Sequence, residues 1–283
     1  MSSVETTMKP NIMMPHTATI LEVIEETSDV KTFRVKIDDE QAWENFRQKA
    51  GQVAELSVFG IGESVISITS SPTVRDYLEF SIKRCGVLTD MIHTLHTGDK
   101  IGVRGPYGNG FPIGQWKGKN LVIVAGGIAL APVRSVLNYA LDNRDDYGKI
   151  SLFYGARSPQ DLVFRWEYER YKNEKDMAFH TTVDCGDDSW TGPVGVVGAL
   201  LKEVKPSPKN SIAIMCGPPI MIKFVLQDLT ALNFQPDQIV TTLEGKMQCC
   251  VGLCGRCNIG SKYICKDGPV FTLAELNEIN GDF

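Results

Sequence analysis

The sequence predicts a β + α/β fold: an antiparallel β-barrel, then a doubly wound parallel sheet, then a loop-rich segment that carries most of the cysteines. Three observations predict it. The first part of the chain breaks into short β-branched runs separated by turn residues, the pattern of a barrel or sandwich. After a glycine- and proline-rich stretch, apolar strand runs alternate with helical ones, the pattern of βαβ units. Beyond the last such strand, Cys249, Cys250, Cys254, Cys257 and Cys265 crowd together.

The barrel strands are taken in order. Thr17–Ile24 and Val30–Ile37 are rich in residues that suit a half-buried pleated surface. Gln52–Val58, Val65–Thr69 and Tyr77–Lys83 continue the pattern, and Lys100–Arg104 ends it; a short helix fits within Asp38–Ala50. Gly105, Pro106, Gly108, Gly110, Pro112, Gly114 and Gly118 then mark a hinge. The barrel is expected over 16–113, behind a flexible tail over 1–15 that lacks the parts of a signal peptide.

Leu121–Ala125 is a wholly apolar run, as a strand buried on both faces requires. Strands are expected at Ile150–Tyr154, Ala178–Val183, Ser211–Cys216 and, last, Gln238–Leu243. Between them, helices are expected over Pro132–Leu141, Asp161–Lys172, Val194–Val204 and Ile220–Leu232. This places the parallel-sheet domain over 114–243 and the cysteine segment over 244–283.

Composition removes some functions. A net charge of −5 leaves no basic excess to neutralise phosphates, which argues against a general nucleic-acid binder. No apolar run is long enough for a membrane span, so the expected location is the cytoplasm. In that reducing compartment a cysteine cluster points to a metal before disulfides.

Cys249, Cys254, Cys257 and Cys265 are spaced C-x4-C-x2-C-x7-C. The first three match the C-x4-C-x2-C…C spacing of plant-type [2Fe–2S] sites, in which four thiolates hold two irons. Gly252 and Gly255 stand between ligands where the loop must turn sharply. A four-cysteine zinc site is the alternative, although only one C-x2-C pair is present. Cys250 can replace Cys249 in a C-x3-C-x2-C register.

Ala125-Gly126-Gly127-Ile128 follows an apolar strand and opens a helix. Glycine there lets a pyrophosphate approach backbone N–H groups, or simply allows a tight turn. Cys216-Gly217-Pro218-Pro219 ends another strand, with proline suited to the first helical turn. Cys216 is placed either to touch a nicotinamide ring or to fill a small buried space. Arg157, after a third strand, is either a ribose or phosphate contact or a solvated charge. Three strand ends together point to a dinucleotide cleft.

Taken in this order, these residues resemble the ferredoxin–NADP reductase superfamily over nearly the whole chain, from about His16 onward. Within it they are similar to the gamma, or diaphorase, subunits of cytoplasmic nickel–iron hydrogenases (sulfhydrogenases). Electron-transfer subunits of dihydroorotate dehydrogenase and B subunits of anaerobic sulfite reductase are near relatives. The stretches that carry the resemblance are Ile66–Pro72, Arg104–Pro112, Cys216–Pro219 and Met247–Phe271. The resemblance implies an FAD-binding barrel. The family's Arg-x-Tyr-Ser motif falls on Ser64, Val65, Ile66 and Ser67, so its arginine and tyrosine are absent here and Ser67 remains. Ile66, Ser67, Ile68 and Thr69 are the implied flavin contacts. The family's Gly-x-x-Ser/Thr turn for the FAD diphosphate falls on Gly86, Val87, Leu88 and Thr89, with Lys83 nearby to offset phosphate charge. The resemblance also implies nicotinamide binding at Gly126, Gly127 and Cys216; Arg157, Gly217 and Pro218, at the same strand ends, are the further candidate contacts.

The expected function is electron transfer between NAD(P)H, FAD and a [2Fe–2S] cluster, to or from large iron–sulfur and catalytic subunits in a hetero-oligomer. The expected partner is a hydrogenase-type or heterodisulfide reductase-type complex. The alternatives are a dihydroorotate dehydrogenase or sulfite reductase complex, a stand-alone reductase, or a structural subunit without flavin.

Overall fold

A computed structural model describes residues 11–280 of the chain. Residues 1–10, most of the expected tail, lie outside the described residues.

The first sheet is built from β1 (His16–Glu25), β2 (Val30–Ile37), β3 (Val53–Val58), β4 (Gly62–Ser67), β5 (Leu78–Lys83) and β6 (Lys100–Tyr107). Its order is β4-β3-β6-β1-β2-β5, and every pair is antiparallel. The sheet curls until its two edges meet: the Thr69 N–H, just past β4, donates to the Glu79 carbonyl of β5 at 2.9 Å. Alternate residues point inward, and Ala18, Ile20, Phe33, Val35, Ala54, Leu56, Phe80 and Val103 fill the interior. Helix α1 (Glu40–Asn45) is capped by Asp39, whose carboxylate accepts the Ala42 N–H at 2.7 Å. Helix α2 (Val87–Ile92) packs against β3 and β4.

The alternation of buried and exposed residues fails where other segments cover the barrel, as at Glu79 of β5, and one such place is informative. Glu55 on β3 and Arg104 on β6 point out of the barrel, yet they are 1% and 2% exposed. The cysteine segment lies on top of them.

The second sheet holds β7 (Asn120–Gly126), β8 (Ile150–Ala156), β9 (Met177–Val183), β10 (Ser211–Cys216) and β11 (Ile239–Thr242), all parallel to one another. Helices α3 (Leu130–Asp142) and α4 (Tyr168–Asn173) cover one face, and α5 (Val197–Val204) and α6 (Pro219–Ala231) the other. Since α3 follows β7 and α6 follows its neighbour β10, the winding reverses between these two strands. That reversal opens a crevice at their carboxyl ends.

The last segment carries the hairpin β12 (Asn258–Ile259) and β13 (Lys262–Tyr263), then α7 (Ile264–Asp267), β14 (Val270–Thr272) and α8 (Leu273–Asn280). Strand β14 pairs antiparallel with β11 and becomes the edge of the second sheet. Gln238–Leu243 is therefore not the last strand. Two expected helices also change. Asp161–Lys172 is α-helical only from Tyr168, after a 3-10 turn over Arg165–Glu167, because Leu162, Val163 and Phe164 leave the helical path and all three side chains enter the core. A helix would bury one face alone. Phe164 is left-handed there, and its N–H donates to Glu26 Oε2 at 2.7 Å. The helix expected from Val194 starts at Val197, since Val194 bridges instead to Val183 of β9.

Candidate functional site

The crevice between β7 and β10 is lined by the two glycine motifs. Register sets Cys216 opposite Ala125 and Gly126 opposite Gly155, so the strand ends lie level. A Cβ on Gly126 would stand 2.5 Å from Met221 Sδ, and one on Gly217 would also collide with the Met221 side chain. Both glycines thus let α6 and its Met221 approach the strand ends. Gly127 has φ +58 with open space where a side chain would be, so its backbone is accessible. Pro218 is the N-cap of α6 and Pro219 its first residue. The Cys216 thiol is buried, lies 3.0 Å from Thr242 Oγ1, and burial pushes its pKa up to about 12. It is a neutral group at the crevice. Arg157 is exposed on the loop after β8. Sequence reasoning missed Met221, a methionine one turn into a helix.

Ile66 and Ser67 end β4 half-buried, and Ile68 and Thr69 are buried just beyond. Thr69 Oγ1 is buried without a hydrogen-bond partner among the described residues, a polar atom directed to a group that would complete it. The Gly86–Thr89 turn starts α2, which packs against β4. Thr89 Oγ1 accepts the Cys85 N–H at 2.8 Å and donates to the Gly86 carbonyl at 3.0 Å, and this fixes the turn. Lys83 is exposed and pairs with Asp29 at 3.1 Å.

A buried ionic knot joins this strand to the helix that follows Gly126-Gly127. Arg134 of α3 reaches across to Glu79 of β5 at 2.6 Å and to Glu167 at 2.6 Å, and it donates to the Thr69 carbonyl at 3.3 Å. Glu167 is also held by Asn138 and Tyr171, and Glu79 by Arg34. Every carboxylate oxygen in the knot is bonded, so the barrel and the parallel sheet are fixed at one geometry.

The cysteines form the third part. Cys249 Sγ accepts the N–H groups of Leu253 at 3.3 Å and Cys254 at 3.4 Å. Burial alone would raise its pKa, but the N–H groups of Val251, Cys254 and Leu253 bring it down to about 6. The loop that carries the four cysteines turns at Gly252 and Gly255, which have φ of +75 and +72. Among the described residues no three potential ligands surround a single point. Cys250 turns the other way, in a left-handed conformation, and donates to Glu55 Oε1 at 3.2 Å.

A second knot holds this loop to the barrel. Arg104 donates to the Cys249 carbonyl at 2.9 Å, to Tyr107 Oη at 3.1 Å and to Glu63 at 2.8 Å. Glu55 lies 3.6 Å from the same guanidinium, and burial raises its pKa to about 7. Val65 of β4 packs against the core formed by Cys250, Cys257, Ile264 and Cys265. Asn109 ties the far side, donating to the Val270 carbonyl at 2.7 Å. Sequence reasoning missed Arg104, Glu55 and Glu63 as a group. The signal was a charged residue at an outward strand position directly before Gly105-Pro106.

Three sequence families match the chain in consecutive blocks: an oxidoreductase FAD-binding domain over residues 17–111, an oxidoreductase NAD-binding domain over 123–227, and the iron–sulfur cluster binding domain of dihydroorotate dehydrogenase B over 244–277. The chain is 43% identical to the sulfhydrogenase 2 gamma subunit of Pyrococcus furiosus, with 90% of this chain and 93% of that protein covered. It is 40% identical to the sulfhydrogenase 1 gamma subunit of the same organism, with 94% and 95% covered. It is 36% identical to a probable dihydroorotate dehydrogenase B electron transfer subunit of Methanocaldococcus jannaschii, with 89% and 87% covered. Among solved structures, an NADH-dependent reduced ferredoxin–NADP oxidoreductase has the same fold, with a TM-score of 0.73 at 21% identity over 96% of this chain and 93% of that one.

Proposed function

The chain belongs to the family of flavin-, nicotinamide- and iron–sulfur-binding oxidoreductases that includes the sulfhydrogenase gamma subunits, and on that premise we propose that it is the electron-transfer subunit of a larger redox complex. It passes electrons, in either direction, between NAD(P)H and a partner enzyme of the hydrogenase type. Identities of 43% and 40% to sulfhydrogenase subunits, against 36% to a dihydroorotate dehydrogenase subunit, favour that partner class.

One observation carries the reading. The cysteine segment is clamped between the two domains, with Arg104 bonded to the Cys249 carbonyl, Val65 of the flavin strand against the cysteine core, and β14 joined to the nicotinamide sheet. A nicotinamide exchanges two electrons as hydride, an iron–sulfur centre exchanges one, and a flavin does both, so the flavin belongs between them.

The chain's own residues supply binding and tuning. Ile66, Ser67, Ile68 and Thr69 would hold the flavin ring system, with Thr69 Oγ1 free to bond it. Gly86, Val87, Leu88 and Thr89 would meet its diphosphate, with Lys83 adding positive charge. Gly126 and Gly127, Gly217 and Pro218, and Arg157 would hold the dinucleotide. Cys216 would present a neutral thiol to its ring without exchanging a proton, since burial holds its pKa near 12. Cys249, Cys254, Cys257 and Cys265 would hold the two irons. The C-x4-C-x2-C…C spacing and the match to an iron–sulfur cluster binding domain support a [2Fe–2S] centre over zinc. The bond from Cys250 to Glu55 supports Cys249 as the first ligand. A cluster held by four thiolates would need a reducing compartment, which supports a cytoplasmic location. Among the described residues no helix is long and apolar enough to cross a membrane.

The test is anaerobic purification with an affinity tag from the native host. FAD, iron and inorganic sulfide in the chain, together with co-purifying hydrogenase-type subunits, are the expected result. A chain that carries zinc, binds no flavin and comes down alone would contradict the proposal.

A further inference from the structure

Strands β10 and β11 end side by side, and their last side chains meet. The parallel register pairs Ala213 with Ile239, Ile214 with Val240 and Met215 with Thr241, which brings Cys216 level with Thr242. Side chains level with one another on neighbouring strands share a face of the sheet. Cys216 Sγ and Thr242 Oγ1 accordingly lie 3.0 Å apart. The preceding threonine shows the usual alternative for such a hydroxyl. Thr241, on the opposite face, donates to the Met215 carbonyl at 3.1 Å. Thr242 does not bond backbone in this way: among the described residues its hydroxyl has Cys216 Sγ as its partner.

Thr242 is held from its other side as well. There β11 pairs with β14, Thr242 stands opposite Val270, and the Leu243 N–H donates to the Pro269 carbonyl at 2.8 Å. Val270 is fixed in turn by Asn109, which accepts its N–H at 3.2 Å and donates to its carbonyl at 2.7 Å. Val270 and Cys216 belong to one apolar cluster. The strand that holds Thr242 in place is thus part of the cysteine segment. A β-branched side chain on a strand paired on both sides has little rotamer freedom, so the hydroxyl stands at a fixed point. Whichever of the two groups donates, the sulfur is drawn to the Thr242 side of the crevice.

We propose that Thr242 is a positioning residue for the nicotinamide reaction and acts through Cys216: its hydroxyl fixes the thiol, and the thiol sets where the nicotinamide ring rests at the ends of β7 and β10. This role rests on the function proposed above, in which Cys216 faces the ring, and adds the group that orients it. In the reaction it serves, the reduced nicotinamide gives up a hydride and becomes the oxidised cation. The flavin takes that hydride and one proton from solvent. Cys216 and Thr242 keep their own protons, and no bond to either forms or breaks. The contribution is one of geometry. A small displacement of a reacting ring slows the transfer without weakening the grip on the rest of the dinucleotide.

The test uses the intact holo-protein and its Thr242→Val, Thr242→Ser, Cys216→Ala and Cys216→Ala/Thr242→Val variants. One readout is the infrared S–H stretch of Cys216, isolated by subtracting the spectrum of the matching Cys216→Ala protein. The other is anaerobic stopped-flow reduction of the flavin by NADH or NADPH, whichever reduces the wild-type chain faster. Thr242→Val should shift the S–H band and slow flavin reduction at saturating nucleotide about 3- to 10-fold, as loss of one hydrogen bond does, with the dissociation constant changed by less than about twofold. Thr242→Ser, which keeps the hydroxyl, should recover most of both. In the Cys216→Ala background Thr242→Val should have no further effect. An unmoved S–H band, wild-type speed in Thr242→Val, a serine variant as slow as the valine one, or an equal loss in the Cys216→Ala background overturns the positioning role. A Cys216→Ala variant of wild-type speed, beside a shifted S–H band in Thr242→Val, overturns instead the placing of Cys216 at the ring.

Discussion

The two buried arginines of this chain do the same job with opposite finish. Arg134 joins the barrel to the nicotinamide sheet, and each carboxylate oxygen around it is bonded. Arg104 joins the barrel to the cysteine segment, but its knot is open. Glu63 is one-third exposed, Glu55 stands 3.6 Å away, and Glu55 Oε2 has no hydrogen-bond partner among the described residues. A closed network fixes one arrangement; an open one leaves charge able to respond to what happens beside it. The closed knot sits where two domains must keep a fixed distance. The open knot sits where the cysteine loop receives and loses electrons.

The largest expected effect comes from emptying the open side. Cys254→Ser should abolish transfer to any macromolecular acceptor while NADH still reduces the flavin, read by anaerobic absorption. Normal transfer in this variant would remove the cysteine segment from the path. Next is the closed knot. Arg134→Met leaves Glu167 buried without its cation and should cost about 3–5 kcal/mol of stability by denaturant unfolding. A loss under 1 kcal/mol would show that the knot is not closed in solution.

Arg104→Met should cost less, roughly 1–3 kcal/mol, because Glu63 can turn to water and Glu55 can take a proton. Its distinguishing effect is on the cluster. Loss of a positive charge bonded to the Cys249 carbonyl should lower the midpoint potential in an EPR-monitored titration, whereas Arg134→Met should leave it unmoved. Equal shifts in both variants would erase the contrast between the knots.

The smallest effect is a pH slope. Burial raises the Glu55 pKa from 4.5 to about 7, so the folded chain holds this proton more tightly than the unfolded chain does. Stability from this group is intact below pH 4.5 and is lost as pH rises towards 7. Glu55→Gln should flatten that part of the profile and make the variant more stable at pH 8 by at most about 3 kcal/mol. Parallel profiles for the two proteins would show that Glu55 titrates normally.

The sequence made one of these regions far more legible than the other. Strand and helix periods report burial, so Val30–Ile37 and Ser211–Cys216 were found to the residue. Cysteine spacing reports a loop closing on metal, and it singled out Cys249, Cys254, Cys257 and Cys265 as the candidate ligands. Contacts between distant segments leave no period. Nothing near Arg104 announces Cys249, and nothing near Arg134 announces Glu79, since each pairing depends on how whole domains pack. The same reason hid β14, whose three residues become a strand only because β11 offers an open edge. Asp161–Lys172 misled because Leu162, Val163 and Phe164 look like a helix face but serve as a plug.

The central claim is that this chain alone connects a nicotinamide to its iron–sulfur segment through the flavin. Its most direct test is to mix the isolated holo-chain with NADH without oxygen and follow flavin absorption together with the EPR signal of the reduced cluster. The account predicts that both centres are reduced in the absence of any partner. Flavin that bleaches beside a cluster that stays oxidised, while electrons still reach an added acceptor, would contradict it.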